Sequence, residues 1–255
     1  MFLLSGKTAV VTCGARGLGY AVAEQFVHEG ARVVIGDVDA GPAQAAAAYI
    51  GAEGAAVGIR CDTRSTDDID ALITHAVDTW GRLDILLNNV EISSRAPMGT
   101  SCGSGQNVIT THLEGIWNGL HRGAAVMRDQ GCGTIVNMSA IAGQLGMSEQ
   151  RNYAAVSVGT VRMTKRVAKE VARSGVRVNA IQPGFIRTNS TEALSQRAWD
   201  AKLAEVPMGR PGEPCEVARA AVFLASHLSS YITGTVLEVT GGGHLYADPP
   251  LQPSV

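Results

Sequence analysis

A chain of 255 residues, 45% of them hydrophobic, can bury one large core, and a formal net charge of −2 without a basic block excludes nucleic acid and anionic membrane surfaces as main partners. The apolar run in residues 1–6 (MFLLSG) is too short for a signal peptide, and no later stretch approaches the roughly 18 apolar residues of a membrane span, so a cytoplasmic protein is expected. Cys13, Cys61, Cys102, Cys132 and Cys215 are odd in number, far apart and without a CxxC pair, which argues against a disulfide framework and against any metal site.

In chain order, apolar β-branched runs of strand length alternate with longer segments of helical period, as in a parallel sheet covered on both faces. Lys7–Thr12 (KTAVVT) predicts a buried strand. A glycine-rich turn follows, then a helix on which Leu18, Val22 and Phe26 recur every four residues before Gly30 ends it. Further strands are expected at Ala31–Asp37, Ala55–Asp62, Leu83–Asn89, Thr134–Ala140, Val176–Pro183 and Thr235–Thr240. Ser65, followed by Asp68, is placed to cap a helix running to Gly81. Seven parallel strands with helices on both faces predict an α/β, single-domain, doubly wound fold of Rossmann type over residues 1–255. Asp248–Val255, with three prolines, reads as an irregular tail or a subunit-contact arm.

In such a sheet a ligand binds beyond the carboxyl ends of the strands, where the first turn offers backbone N–H groups and a positive helix end to a pyrophosphate. Gly14, Gly17 and Gly19 occupy that turn, although a tight strand-to-helix turn needs glycine in any case. Asp37, 18 residues beyond Gly19 at the end of the second strand, is placed to accept hydrogen bonds from ribose hydroxyls. The same carboxylate repels a 2'-phosphate and so favours NAD over NADP. Arg16 in the turn would act the other way, unless it is a solvated surface charge.

TCGARGLG at Thr12–Gly19 and NNVE at Asn88–Glu91 resemble the TGxxxGxG and NNAG motifs of the short-chain dehydrogenases/reductases. RVNAIQPG at Arg177–Gly184, PMGRPGEPCEVARAAVFLAS and ITGTVLEVTGG extend the resemblance over roughly residues 5–243. It implies that Asn89 belongs to the cofactor site, that Asp62 contacts adenine, that Ile186 and Thr188 flank the nicotinamide, and that the long fourth and fifth helices build a homodimer or homotetramer. Two departures fall inside the cofactor site. Cys13 stands where the family has its first glycine, crowding the adenosine side, and Glu91 stands at the glycine of NNAG, where it places a second negative charge.

Hydride transfer at an oxygen-bearing carbon needs a matching proton transfer at that oxygen. The resemblance implies a tyrosine for that proton, a lysine four residues later, a serine and an asparagine. YAAVS keeps Tyr153 but places Ser157 at the lysine; Ala140 falls on the catalytic serine beside Ser139, and His112 on the asparagine. Lys165 lies twelve residues beyond Tyr153, roughly 18 Å along a helix. Ordinary dehydrogenase chemistry is therefore disfavoured at the sequence level. The leading expectation is a repurposed non-redox enzyme in which Tyr153, His112 and Glu91 carry out acid/base cyclisation, dehydration, aldol closure or isomerisation of an apolar carbonyl-bearing small molecule. An atypical NAD-dependent dehydrogenase or ketoreductase and a non-catalytic subunit are the alternatives. His112 facing a neighbouring helix, Glu91 in water and Tyr153 as packing are the plainer readings of the same residues.

Overall fold

Val10 and Val11 are consecutive and fully buried, yet they belong to opposite cores. This follows from a strand inside a sheet covered on both faces, where successive side chains point to opposite sides. A computed structural model describes residues 2–51, 54–90, 102–139 and 151–247, the side chains of 102–110, 151–154 and 246–247 excepted. The elements run β1 (Thr8–Thr12), α1 (Gly17–His28), β2 (Arg32–Asp37), α2 (Ala40–Ile50), β3 (Ala56–Arg60), α3 (Thr66–Trp80), β4 (Ile85–Asn88), α4 (Cys102–Gln130), β5 (Gly133–Met138), α5 (Arg151–Val171), β6 (Val176–Pro183), α6 (Asn189–Glu192), α7 (Gln196–Ala204), α8 (Pro214–Ala225) and β7 (Val236–Val239). Among the described residues the sheet has the order β3-β2-β1-β4-β5-β6-β7, and every pair is parallel.

The chain order reverses between β1 and β4, and the crevice beyond their carboxyl ends is where a doubly wound sheet takes its ligand. One core packs Val22, Phe26, Ala43 and Val217 against Val11, Ile35 and Leu87. The other packs Leu72, Ile116, Leu120 and Val167 against Val34, Leu86 and Ile135. The expected strands are all present, and β6 has the expected bounds. The others are shorter or shifted at their ends because the terminal residues find other partners: Leu83 gives its N–H to Gln130 Oε1 at 2.8 Å rather than to a strand. Ser65 caps α3 as expected, its Oγ accepting from the Asp68 N–H at 3.1 Å, and the helix stops at Gly81 in the left-handed region (φ 80°). Residues 248–255, the expected tail, lie outside the described residues.

Candidate cofactor and active site

The turn after β1 is built by its own packing before any ligand is considered. Gly14 donates its N–H to the Gly36 carbonyl at 3.0 Å, and a Cβ on it would meet the Ile35 side chain at 2.9 Å. A Cβ on Gly19 would lie 2.2 Å from the Cys13 carbonyl oxygen and 2.8 Å from Asn89 Nδ2. These two glycines let α1 start against the end of β1, a requirement of the fold that any pyrophosphate then exploits. Cys13, where the resemblance expects a glycine, adopts φ 47° and so carries a side chain on a left-handed backbone.

Asn89, expected at the cofactor, braces this turn. Its Nδ2 donates to the Cys13 carbonyl at 3.2 Å, its N–H to Thr12 Oγ1 at 2.9 Å, and the Thr12 hydroxyl donates back to its carbonyl at 2.6 Å. Thr12 escaped the sequence reading, since nothing marks a strand-end threonine as a clamp between β1 and β4 until the two are adjacent.

Arg16 is the N-cap of α1; no side chain caps this helix and no acidic residue lies in its first turn. Its positive end is left to an anion. Asp37, at the carboxyl end of β2, is 5% exposed, and its Oδ2 accepts from the Ala15 N–H at 3.1 Å. Arg16 is exposed, as a solvated surface charge would be, and its guanidinium lies 4.0 Å from Asp37 and 3.5 Å from Asp39. Asp62 is chelated by Arg64, from Nε (3.0 Å) and Nη2 (2.7 Å), and also accepts the Arg64 N–H at 3.0 Å. The hydrogen-bonded guanidinium holds this carboxyl below its usual range. The turn, the uncapped helix end and Asp37 together fit the adenosine diphosphate half of a dinucleotide.

Across the crevice, Ile186 is buried and forms an isolated parallel bridge with Gly212, while Thr188 caps α6, its Oγ1 accepting the Thr191 N–H at 3.4 Å. Beneath, Asn88 and Asn137 are fully buried. Asn88 Nδ2 donates to the Ile116 carbonyl (2.7 Å) and to Asn137 Oδ1 (3.1 Å), and Asn137 Nδ2 donates to Thr164 Oγ1 (2.8 Å). His112, on α4, is 5% exposed, and burial holds its imidazole down to about 4. Ser157 is buried one helical turn beyond Tyr153, its carbonyl accepting from Ser139 Oγ at 3.1 Å. Tyr153 lies in the first turn of α5. Its side chain, with Glu91 and Ala140, falls outside the described residues, so the expected grouping of Tyr153, His112 and Glu91 has one described side chain, that of His112. No group of acidic, histidine or cysteine side chains among the described residues could hold a metal ion, and no helix among them is long and apolar enough to cross a membrane.

A family model described as enoyl-(acyl carrier protein) reductase matches residues 14–244. The chain belongs to the short-chain dehydrogenase/reductase family. An uncharacterized oxidoreductase of Mycobacterium bovis is 54% identical over 241 residues, 94% of this chain and 98% of its own. The 3-oxoacyl-(acyl-carrier-protein) reductase FabG of Vibrio harveyi is 38% identical over 243 residues (95% and 99%), and that of Thermotoga maritima 37% over 241 residues (94% and 98%). These names overturn the non-redox reading. That expectation rested on a handful of side chains around Tyr153, whereas the likeness to named oxidoreductases and reductases spans nearly the whole chain.

Proposed function

We propose that this short-chain dehydrogenase/reductase is an NAD-dependent oxidoreductase that interconverts a carbonyl and a hydroxyl on a small organic molecule. The observation that carries it is Asp37: a carboxylate fixed by the Ala15 N–H at the edge of the β1–β4 crevice, 5% exposed, in position for ribose hydroxyls. The Gly14–Gly19 turn and the α1 amides would hold the pyrophosphate, and the Ile186–Thr188 segment would border the nicotinamide. A bound nicotinamide supplies or accepts the hydride. Tyr153 exchanges the proton at the substrate oxygen, without the ammonium that the family places one turn beyond it. An unassisted phenol has a pKa near 10, so alcohol oxidation, which needs the phenolate as base, is expected to be slow near neutrality and to climb toward alkaline pH, whereas carbonyl reduction, which needs the phenol as acid, is not. His112, kept neutral by burial, replaces a neutral asparagine in the family pattern and contributes a hydrogen bond rather than a charge. The name borne by the Vibrio harveyi and Thermotoga maritima relatives makes a 3-oxoacyl thioester the first substrate to try.

Two measurements test this. Calorimetric titration should show NAD(H) binding at least tenfold tighter than NADP(H), and the absence of binding by either would end the proposal. Replacing Ala140→Ser together with Ser157→Lys should raise the rate by about 10²-fold, the scale of a restored positioned acid/base; a fall in rate would show that this chain moves its proton by another route. We also propose a homo-oligomer through α4 and α5, where Trp117, half exposed and stacked on His121 at 5.7 Å between ring centres, lies on the outer face. Sedimentation of the full chain reads that directly.

A further inference from the structure

Away from the β1–β4 crevice, the carboxyl end of β7 gathers three side chains. Glu238 and Thr240 are two residues apart and so share a face at the strand end. His244 folds back onto both: its Nδ1 lies 2.7 Å from Thr240 Oγ1 and its Nε2 lies 3.3 Å from Glu238 Oε2. With Nε2–H directed at the carboxylate as donor, the tautomer leaves Nδ1 as acceptor for the threonine hydroxyl. This is the nucleophile, base and orienting-acid order that activates a hydroxyl in acyl transfer.

The threonine also has somewhere for a reactant to go. A cavity of about 190 Å³ is lined by Thr240, Gly241, Glu238, Ile186, Met208 and Val239, among others. At about 30 Å³ per water it holds roughly six waters, which limits a guest to a few heavy atoms. Its charges are spoken for: Arg210, also at its wall, is bound by both oxygens of Glu216 at 2.8 and 2.7 Å, and Glu238 faces His244. Two carboxylates in the wall repel a phosphoryl donor, whereas Ile186, Met208 and Val239 suit a short neutral acyl chain.

We propose that Thr240 is an acyl-acceptor site, taking a short acyl group from a small acyl thioester with His244 as base and Glu238 as the group that orients it. Thr240 Oγ1 attacks the thioester carbonyl carbon, the carbon–sulfur bond breaks and an ester bond to threonine forms. The hydroxyl proton passes to His244 Nδ1 and then to the departing sulfur, so that a free thiol leaves and nothing is oxidised or reduced. The Gly241 N–H, next in the chain and at the cavity wall, is the donor assigned to the developing oxyanion. The step needs no nicotinamide, although Ile186, assigned above to the border of the nicotinamide, also forms part of the cavity wall.

The test is incubation of the full-length protein with S-acetyl-N-acetylcysteamine and no dinucleotide, followed by peptide mass spectrometry. The expected result is one acetyl group on the peptide carrying Thr240. His244→Gln should slow labelling by about 10²-fold, and Thr240→Ser should keep it while Thr240→Val removes it. Circular dichroism identifies any variant that has not folded. An unlabelled Thr240 in the folded wild-type protein, or equal labelling rates in wild type and His244→Gln, would overturn the proposal, whatever the dinucleotide titrations show.

Discussion

A thiol-bearing residue at φ 47° costs about 1–2 kcal/mol relative to a right-handed conformation, and glycine would relieve it at an entropic cost of about 0.5–1 kcal/mol. Cys13→Gly is therefore expected to raise stability by up to about 1 kcal/mol, a rise of about 2–4 °C in a thermal melt. The same change should tighten NAD binding, because it removes a methylene from the adenosine side. His112 makes a separate pH-dependent contribution. Its folded pKa, about 4, lies below the ordinary histidine value of 6.5, so the native state binds fewer protons there than the unfolded chain. Stability from this residue is complete above pH 6.5 and drains away as pH falls toward 4, by about 3 kcal/mol in all. Urea denaturation at pH 7 and pH 4.5 should show a loss in the wild type that is smaller by that order in His112→Asn; equal losses in both would mean that the imidazole is not desolvated.

At the scale of elements, the sheet and its second helical layer are joined by polar groups inside an apolar interface. Asn88 on β4 bonds Asn137 on β5, which bonds Thr164 on α5; Thr164 in turn donates to the Thr160 carbonyl at 2.8 Å. Each member is at most 1% exposed. A buried donor left without an acceptor costs about 1–3 kcal/mol, so Thr164→Val, nearly the same shape, should lose that much in urea unfolding by stranding Asn137 Nδ2. A loss near zero would indicate that water or another acceptor reaches the amide. Because α5 also carries Tyr153, this chain of bonds fixes the height of the phenol's helix against β5. The variant should consequently lower turnover as well as stability.

Across the whole molecule, cofactor binding and folding are linked: a ligand at about 100 times its Kd stabilises the native state by about 2.7 kcal/mol. Thermal melts with saturating NAD should shift upward by several degrees, with NADP doing markedly less. Asp37→Ala should reduce the difference between the two. An equal shift with both dinucleotides in the wild type would mean that Asp37 does not discriminate. Asp37 itself was legible because strand period and spacing place it; the Ala15 N–H that holds it, and the Thr12–Asn89 clamp, were not, since both arise from segments brought together by β1 lying between β2 and β4.

The sequence alone determined the parallel seven-stranded layout, because burial on both faces imposes continuous apolar runs and helices impose a period of four, and both are local patterns. It also determined which residues stand at Tyr153, Ser157, Ala140 and His112. Tertiary structure decided what could not be local: that the Ala15 N–H holds Asp37, that Arg16 rests between Asp37 and Asp39, and that Thr12 clamps Asn89. Hydrogen bonds and ion pairs act over a few ångströms, and only the packed sheet brings residues distant in sequence within that reach.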